Sequence, residues 1–166
     1  PKLERVKDML EEITESGHKA LIFSQWEQVT SVYKDALKGY NPAYIVGAVD
    51  PEDRQKEVDR FQNDPTCKVA IGTIGAMGTG LTMTAASYVF FVDKRYWDAE
   101  NKQAEDRAHR IGTKNTVNVV SLVATNTVDE GIEEMLRDNK ALFDRVVEGK
   151  GSRVDMGEIL RKILQY

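Results

Sequence analysis

Apolar positions alternate between two periods along this chain. Leu3, Val6, Leu10 and Ile13 fall at helical spacing with Met9 beside them, so residues 2–15 read as an amphipathic helix that Gly17 ends. Residues 20–23 are an unbroken apolar run of strand length. Ser24 with Glu27 three positions on reads as a capping box. It opens a helix to about Leu37 whose inward positions are Val29, Val32, Tyr33, Ala36 and Leu37. The alternation repeats with a strand over 43–46. A helix over 51–62 follows, capped by Asp50, led by Pro51 and burying Val58 and Phe61. A strand over 68–71 comes next, and then the run 88–92, whose continuous apolarity predicts a strand buried on both faces. A β-branched strand over 117–123 leads to Thr127 and Glu130, a second capping box that opens a helix to about Val147 on Ile132, Met135, Leu136 and Phe143. After a break at 149–151, a last short helix over 155–164 carries Ile159, Leu160 and Ile163.

Strands alternating with helices predict a mostly parallel sheet with helices on both faces, and a ligand edge at the carboxyl ends of the strands. Besides the segment from Asp93 to Trp97, two stretches are expected to gather there. The first is the run from Gly72 to Ala86, with glycines at 72, 75, 78 and 80. It lacks the dinucleotide fingerprint and the Gly-Lys-Ser/Thr of a Walker loop, and it reads equally as a ligand edge or as a tight connection. The second is 103–112, read as a helix. Gln103, Arg107 and Arg110 share one stripe at i, i+4 and i+7, while Ala104, Ala108 and Ile111 repeat that spacing one residue on. Two guanidiniums on one face suit a phosphate, although from spacing alone a solvated charged face is the more ordinary reading. His109 falls off that stripe and is expected to make a structural hydrogen bond, and His18 to sit at a turn.

Composition narrows the classes. The 166 residues suit one domain, and 41% hydrophobic with 30% charged residues suits a soluble, globular one. No apolar run approaches the roughly 18 residues of a membrane span, and no signal peptide is visible, so an intracellular protein without membrane contact is expected. Cys67 alone cannot close an internal disulfide and fits a reducing compartment, cytoplasmic or nuclear. With two histidines and that cysteine, a structural zinc site is not expected. A net charge of −4 argues against gripping DNA by bulk charge, so any nucleic-acid contact must be local or shared. The start at Pro1 instead of methionine predicts a piece of something longer.

The literal strings carry a resemblance. Residues 103–112 match every fixed position of the pattern Gln-x-x-x-Arg-x-His-Arg-x-Gly, the last helicase motif of the Swi/Snf-type DNA translocases in helicase superfamily two. Thr113 stands where that family usually continues with Gln. The run from Lys19 to Trp26 resembles the family's fourth motif, and Gly47 with Arg54 and Phe61 its glycine-to-arginine stretch. Thr73, Ala76, Gly78, Gly80, Leu81 and Thr82 resemble the fifth motif, with Met77 replacing a common Gly and Thr82 a common Asn. The segment from Asp93 to Trp97 resembles the family's aspartate-to-tryptophan segment, with Asp98 and Ala99 in place of its Asn-Pro.

The resemblance implies a RecA-like, three-layer α/β/α lobe with bracing C-terminal helices, a single domain over 1–166 with 127–166 as a helical tail. It implies Arg107 and Arg110 as catalytic arginine fingers, and Gln103, Gly78 and Gly80 near the nucleotide. It places Ser24, Gln25, Arg54, Thr73 and Trp97 near the DNA backbone. ATP would be the substrate, Mg²⁺ would be held by an N-terminal lobe of the same parent chain, and double-stranded DNA would be the partner. The Walker lysine and the Asp-Glu-x-His motif of that other lobe are not in this sequence, so the lobe alone is expected to be inactive. Three alternatives stay open: another superfamily-two DNA or RNA helicase lobe, a dinucleotide-binding metabolic domain, and a RecA-like module kept for protein contacts.

Overall fold

The computed structural model describes residues 1–77, 81–95, 98–106, 108 and 116–147, with the backbone alone for Asp98 and residues 142–147. Its centre is a five-stranded, all-parallel sheet in the order β2-β3-β1-β4-β5. The strands are β1 (Lys19–Ser24), β2 (Ala43–Ile45), β3 (Val69–Thr73), β4 (Ala86–Phe91) and β5 (Asn118–Ser121). The helices are α1 (Lys2–Glu15), α2 (Glu27–Ala36), α3 (Pro51–Asn63), α4 (Ile74–Met77), α5 (Asp98–Glu105) and α6 (Val128–Val147).

Side chains of successive strand residues go to opposite faces, and the core divides accordingly. Leu21, Phe23, Ala70, Val89 and Phe91 pack with Val58 and Phe61 of α3, with α4, and with Ala104 and Ala108. Ala20, Ile22, Val69, Ile71 and Phe90 pack with Val6, Leu10 and Ile13 of α1 and with Tyr33 and Leu37 of α2. The expected three layers are therefore present, and β4 is buried on both faces as its apolar run predicts.

Local sequence explains most boundaries. Gly17, at φ +80°, ends α1 in a Schellman arrangement, with His18 N–H donating to Ile13 C=O and Gly17 N–H to Thr14 C=O, both at 3.1 Å. Thr127 Oγ1 accepts from Asp129 N–H at 3.2 Å, while Glu130 reaches back to the Asn126 N–H at 3.0 Å, one residue before the expected partner. Lys19 Nζ donates to the carbonyls of Phe61 and Asp64 at 2.6 and 2.7 Å, so a cation finishes the C-terminal end of α3.

Several expectations are corrected. Ser24 does not cap α2, which starts at Glu27 without a side-chain cap. Val32 is 57% exposed and Ala36 is exposed, because the face turned to the sheet is the one bearing Thr30, Tyr33 and Leu37. The strand predicted over 68–71 runs on to Thr73 and passes straight into α4, so the first part of the glycine-rich stretch is ordered element, not loop. The helix predicted over 103–112 is already under way from Asp98 and its described helical run ends at Glu105, while residues 107 and 109–112 of that prediction lie outside the described residues. Ala108 N–H bonds to the Glu105 C=O at 3.0 Å, an i→i−3 closure that tightens the chain into a turn while Ala104 and Ala108 stay fully buried.

Two carboxylates tie the fold to pH. Asp129 is pushed up by burial, but Lys2 Nζ and the Ala124 N–H (3.1 Å) bond it, and with the Lys2 charge they bring its pKa below 3.8. Burial also raises Glu57, and the Arg60 guanidinium (2.9 Å), the Tyr44 N–H (2.9 Å) and the charges of Arg60 and Lys34 outweigh it, leaving it below 4.5. Folded pKa values lowered in this way contribute stability that is present above the unfolded values and lost as pH falls through the folded ones. The urea-unfolding midpoint is expected to be lower at about pH 3 than at about pH 7, with part of that fall missing in Asp129→Asn. An identical acid limb in the variant would show that the Lys2 pair is energetically idle. Among the described residues no helix is long and apolar enough to cross a membrane.

Candidate functional site

The carboxyl ends of β1, β3 and β4 form the crevice expected of an open parallel sheet. β1 is followed by α2 on one face, whereas β3 and β4 are followed by α4 and α5 on the other. Ser24 and Thr73 stand opposite each other in the β1–β3 register at this edge.

The site is held by Asp93, just past β4. Its carboxylate accepts from Ser24 Oγ at 2.5 Å and from the Gln25 N–H at 2.7 Å, and Ser24 Oγ accepts in turn from the Trp26 N–H at 3.0 Å. Ser24 is 1% exposed, so its hydroxyl shapes the turn from inside. Gln25 is half-buried and Trp26 54% exposed, so the outward face of this turn belongs to them. The buried hydroxyl of Tyr33 has no hydrogen-bond partner, and burial, followed by the charge of Asp93, pushes its pKa up to about 12. Tyr33 therefore stays neutral beside the carboxylate.

Thr73 is half-buried, and its Oγ1 accepts from the Ala76 N–H at 3.4 Å, which starts α4. Arg54 lies in the first turns of α3, beyond β2 at the same edge. It is half-buried, and its Nε is enclosed without a hydrogen-bond partner. Gln103 is exposed on α5. Gly78, Gly80, Trp97, Arg107 and Arg110 lie outside the described residues. Their flanks do not: Met77 closes α4, Arg95 precedes the tryptophan segment, and the buried pair Ala104 and Ala108 brackets the first arginine.

Sequence reading missed two parts of this arrangement. Asp93 was legible as the first residue of the aspartate-to-tryptophan segment but not as the holder of the β1–α2 turn, because its partners are 68 and 69 positions away. Asn101, 1% exposed, bonds both backbone groups of Arg95 and carried no sequence signal. His18, expected at a turn, pairs Nδ1 with Ser87 Oγ at 3.1 Å at the opposite end of the sheet. Among the described residues no group of histidine, cysteine and carboxylate side chains is arranged to hold a metal ion.

Comparisons with known proteins agree with this architecture. Residues 1–112 match the family model of the helicase conserved C-terminal domain. The chain is 34% identical over 174 residues to Protein CHROMATIN REMODELING 19 of Arabidopsis thaliana, across 98% of this chain and 23% of that protein. It is 33% identical over 149 residues to Helicase SWR1 of Candida albicans, across 89% of this chain and 9% of that protein. Among solved structures, the C-terminal part of the Fun30 ATPase domain matches with a TM-score of 0.77 at 28% identity, over 81% of this chain and 45% of that one. The chain thus spans less than a quarter of either curated relative. It belongs to the family of helicase conserved C-terminal domains, as a RecA-like lobe of the Swi/Snf type.

Proposed function

We propose that this chain is the C-terminal motor lobe of an ATP-dependent translocase on double-stranded DNA, working against an N-terminal lobe of the same parent. The observation that carries this reading is the meeting of β1, β3 and β4 at one edge. The turn bearing Gln25 and Trp26, the start of α4 and the start of α5 all follow those strand ends. The described parts of the segments assigned to DNA and to nucleotide thus follow the same sheet edge, which supports the reading.

ATP would be bound in the cleft between the two lobes, with Mg²⁺ on the other lobe. Among the described residues no group of three or more histidine, cysteine, aspartate or glutamate side chains could hold a metal ion. Arg107 and Arg110 reach across to the γ-phosphoryl group and neutralise the charge that develops on it, with Gln103 and the backbone at Gly78 and Gly80 placing the nucleotide. Gln25, Arg54, Thr73 and Trp97 contact the sugar-phosphate backbone, and Ser24 holds the turn from beneath. Contacts of this kind carry register and no base sequence. The net charge of −4 fits such local contacts better than a broad basic groove.

The test is ATP hydrolysis by the full-length parent with and without duplex DNA. Turnover stimulated by duplex DNA supports the reading. Stimulation by RNA or single strands alone points to a helicase of another branch, and no turnover under any condition leaves a binding module. Within the same assay, Trp97→Ala is expected to lower the DNA-stimulated rate about tenfold and the basal rate by less than about twofold, on the scale of one lost hydrogen bond to a phosphate. Equal loss of both rates would assign Trp97 to packing.

A further inference from the structure

The first residues after β4 reach several elements in turn. Asp93 holds the β1–α2 turn through Ser24 and Gln25. Lys94 pairs with Glu133 of α6 at 3.2 Å. Arg95 is gripped by α5, where Asn101 Oδ1 accepts from the Arg95 N–H and Asn101 Nδ2 donates to the Arg95 C=O, each at 2.9 Å. The Arg95 side chain continues the path. Its Nη1 pairs with Glu100 Oε2 at 2.8 Å, and its Nη2 lies over α4, 3.0 Å from where a Cβ on Gly75 would stand.

Asn101 is the fixed point of this chain of contacts. It is 1% exposed, and one amide satisfies both backbone groups of one loop residue, which sets distance and orientation together. A single hydrogen bond would leave the loop free to pivot. With both bonds made, the start of α5, which carries Gln103, is rigidly joined to the segment that carries Asp93.

We propose that Asn101 is a positioning residue for nucleotide turnover. By clamping Arg95 it makes the DNA-side turn at Ser24 and Gln25 and the nucleotide-side helix α5 move as one body. The inference rests on the reading of this chain as a DNA-stimulated ATPase lobe and specifies how that lobe couples its two faces. Without the clamp, α5 keeps its apolar seat through Ala104 but loses its orientation toward the loop. The effect therefore falls on the stimulated rate more than on folding.

The experiment is steady-state ATP hydrolysis by the full-length parent, with and without duplex DNA, for wild type, Asn101→Ala and Asn101→Asp, with a thermal melt of each. Asn101→Ala is expected to lower the DNA-stimulated kcat about tenfold, with KM for ATP changed by less than about twofold. Asn101→Asp keeps the acceptor for the Arg95 N–H and loses the donor to the Arg95 C=O, and is expected to retain about a third of the wild-type kcat. A wild-type stimulated kcat in Asn101→Ala overturns the proposal. So does a loss that follows the folded fraction and vanishes well below the melting transition. If Asn101→Ala does not fold, Asn101→Asp decides: the threefold loss at an unchanged melting temperature supports the clamp, and wild-type kcat overturns it. The wild-type arm tests the broader reading separately. Stimulation by RNA or single strands alone overturns the duplex assignment and leaves the Asn101 comparison to be made with that nucleic acid, whereas absence of turnover overturns both.

Discussion

Arg110→Ala in the full-length parent is expected to lower DNA-stimulated ATP turnover by about 10³-fold or more while leaving the fold in place, and the Arg107/Arg110 double alanine is expected to do no less. The size follows from the chemistry. The phosphoryl group spreads negative charge over its oxygens in the transition state, and an arginine supplied from the facing lobe opposes that charge where water cannot screen it. Lysine should restore little, because a point ammonium lacks the planar fork that addresses two oxygens at once. The fold should survive because the seat beside them is apolar, with Ala104 and Ala108 fully buried in the core. Phosphate release measured beside a thermal melt separates the two effects. Normal turnover in a folded Arg110→Ala parent would remove the arginine-finger assignment and move the whole proposal toward a binding module.

The parts of this lobe that could be read in advance are those whose physics is local. Gly17 stops α1 because only a residue without Cβ takes φ +80° at little cost. The apolar run of β4 announces burial on both faces, since a solvent-facing side would have interrupted it. The parts that could not be read depend on distant partners. Ser24 satisfies every local rule for an N-cap, yet a carboxylate 69 positions away takes its hydroxyl, and α2 starts three residues later. Val32 matched the helical stripe, but the direction in which a helix leans on a sheet is set by neighbours that the stripe does not name.

Gly72→Ala is expected to be the most destabilising single-methyl substitution among the described glycines. Gly72 lies within β3, paired with Phe23 of β1 on one side and Ile45 of β2 on the other. A Cβ there would stand 2.3 Å from the Ile45 carbonyl oxygen and 2.4 Å from Met77 Sδ, well under the 3.0 Å that real Cβ contacts respect. Met77 is fully buried in the core, and the carbonyl oxygen is backbone that moves only if β2 moves. β2 is the edge strand and only three residues long, so the strain should open the β2–β3 seam before the centre of the sheet. Overpacking of this kind costs about 1–3 kcal/mol, and a clash with backbone belongs at the upper end. For a domain of this size that is a melting temperature lower by roughly 6–12 °C. Gly39→Ala is the matched control: its Cβ meets nothing within 4 Å, so little change or a slight gain is expected. Because α4 leads straight into the glycine-rich stretch assigned to nucleotide, a Gly72→Ala parent assayed below its melting transition should also lose stimulated turnover. Equal melting temperatures for the two variants would mean that the β2–β3 seam yields without cost and that Gly72 is not held to glycine by packing.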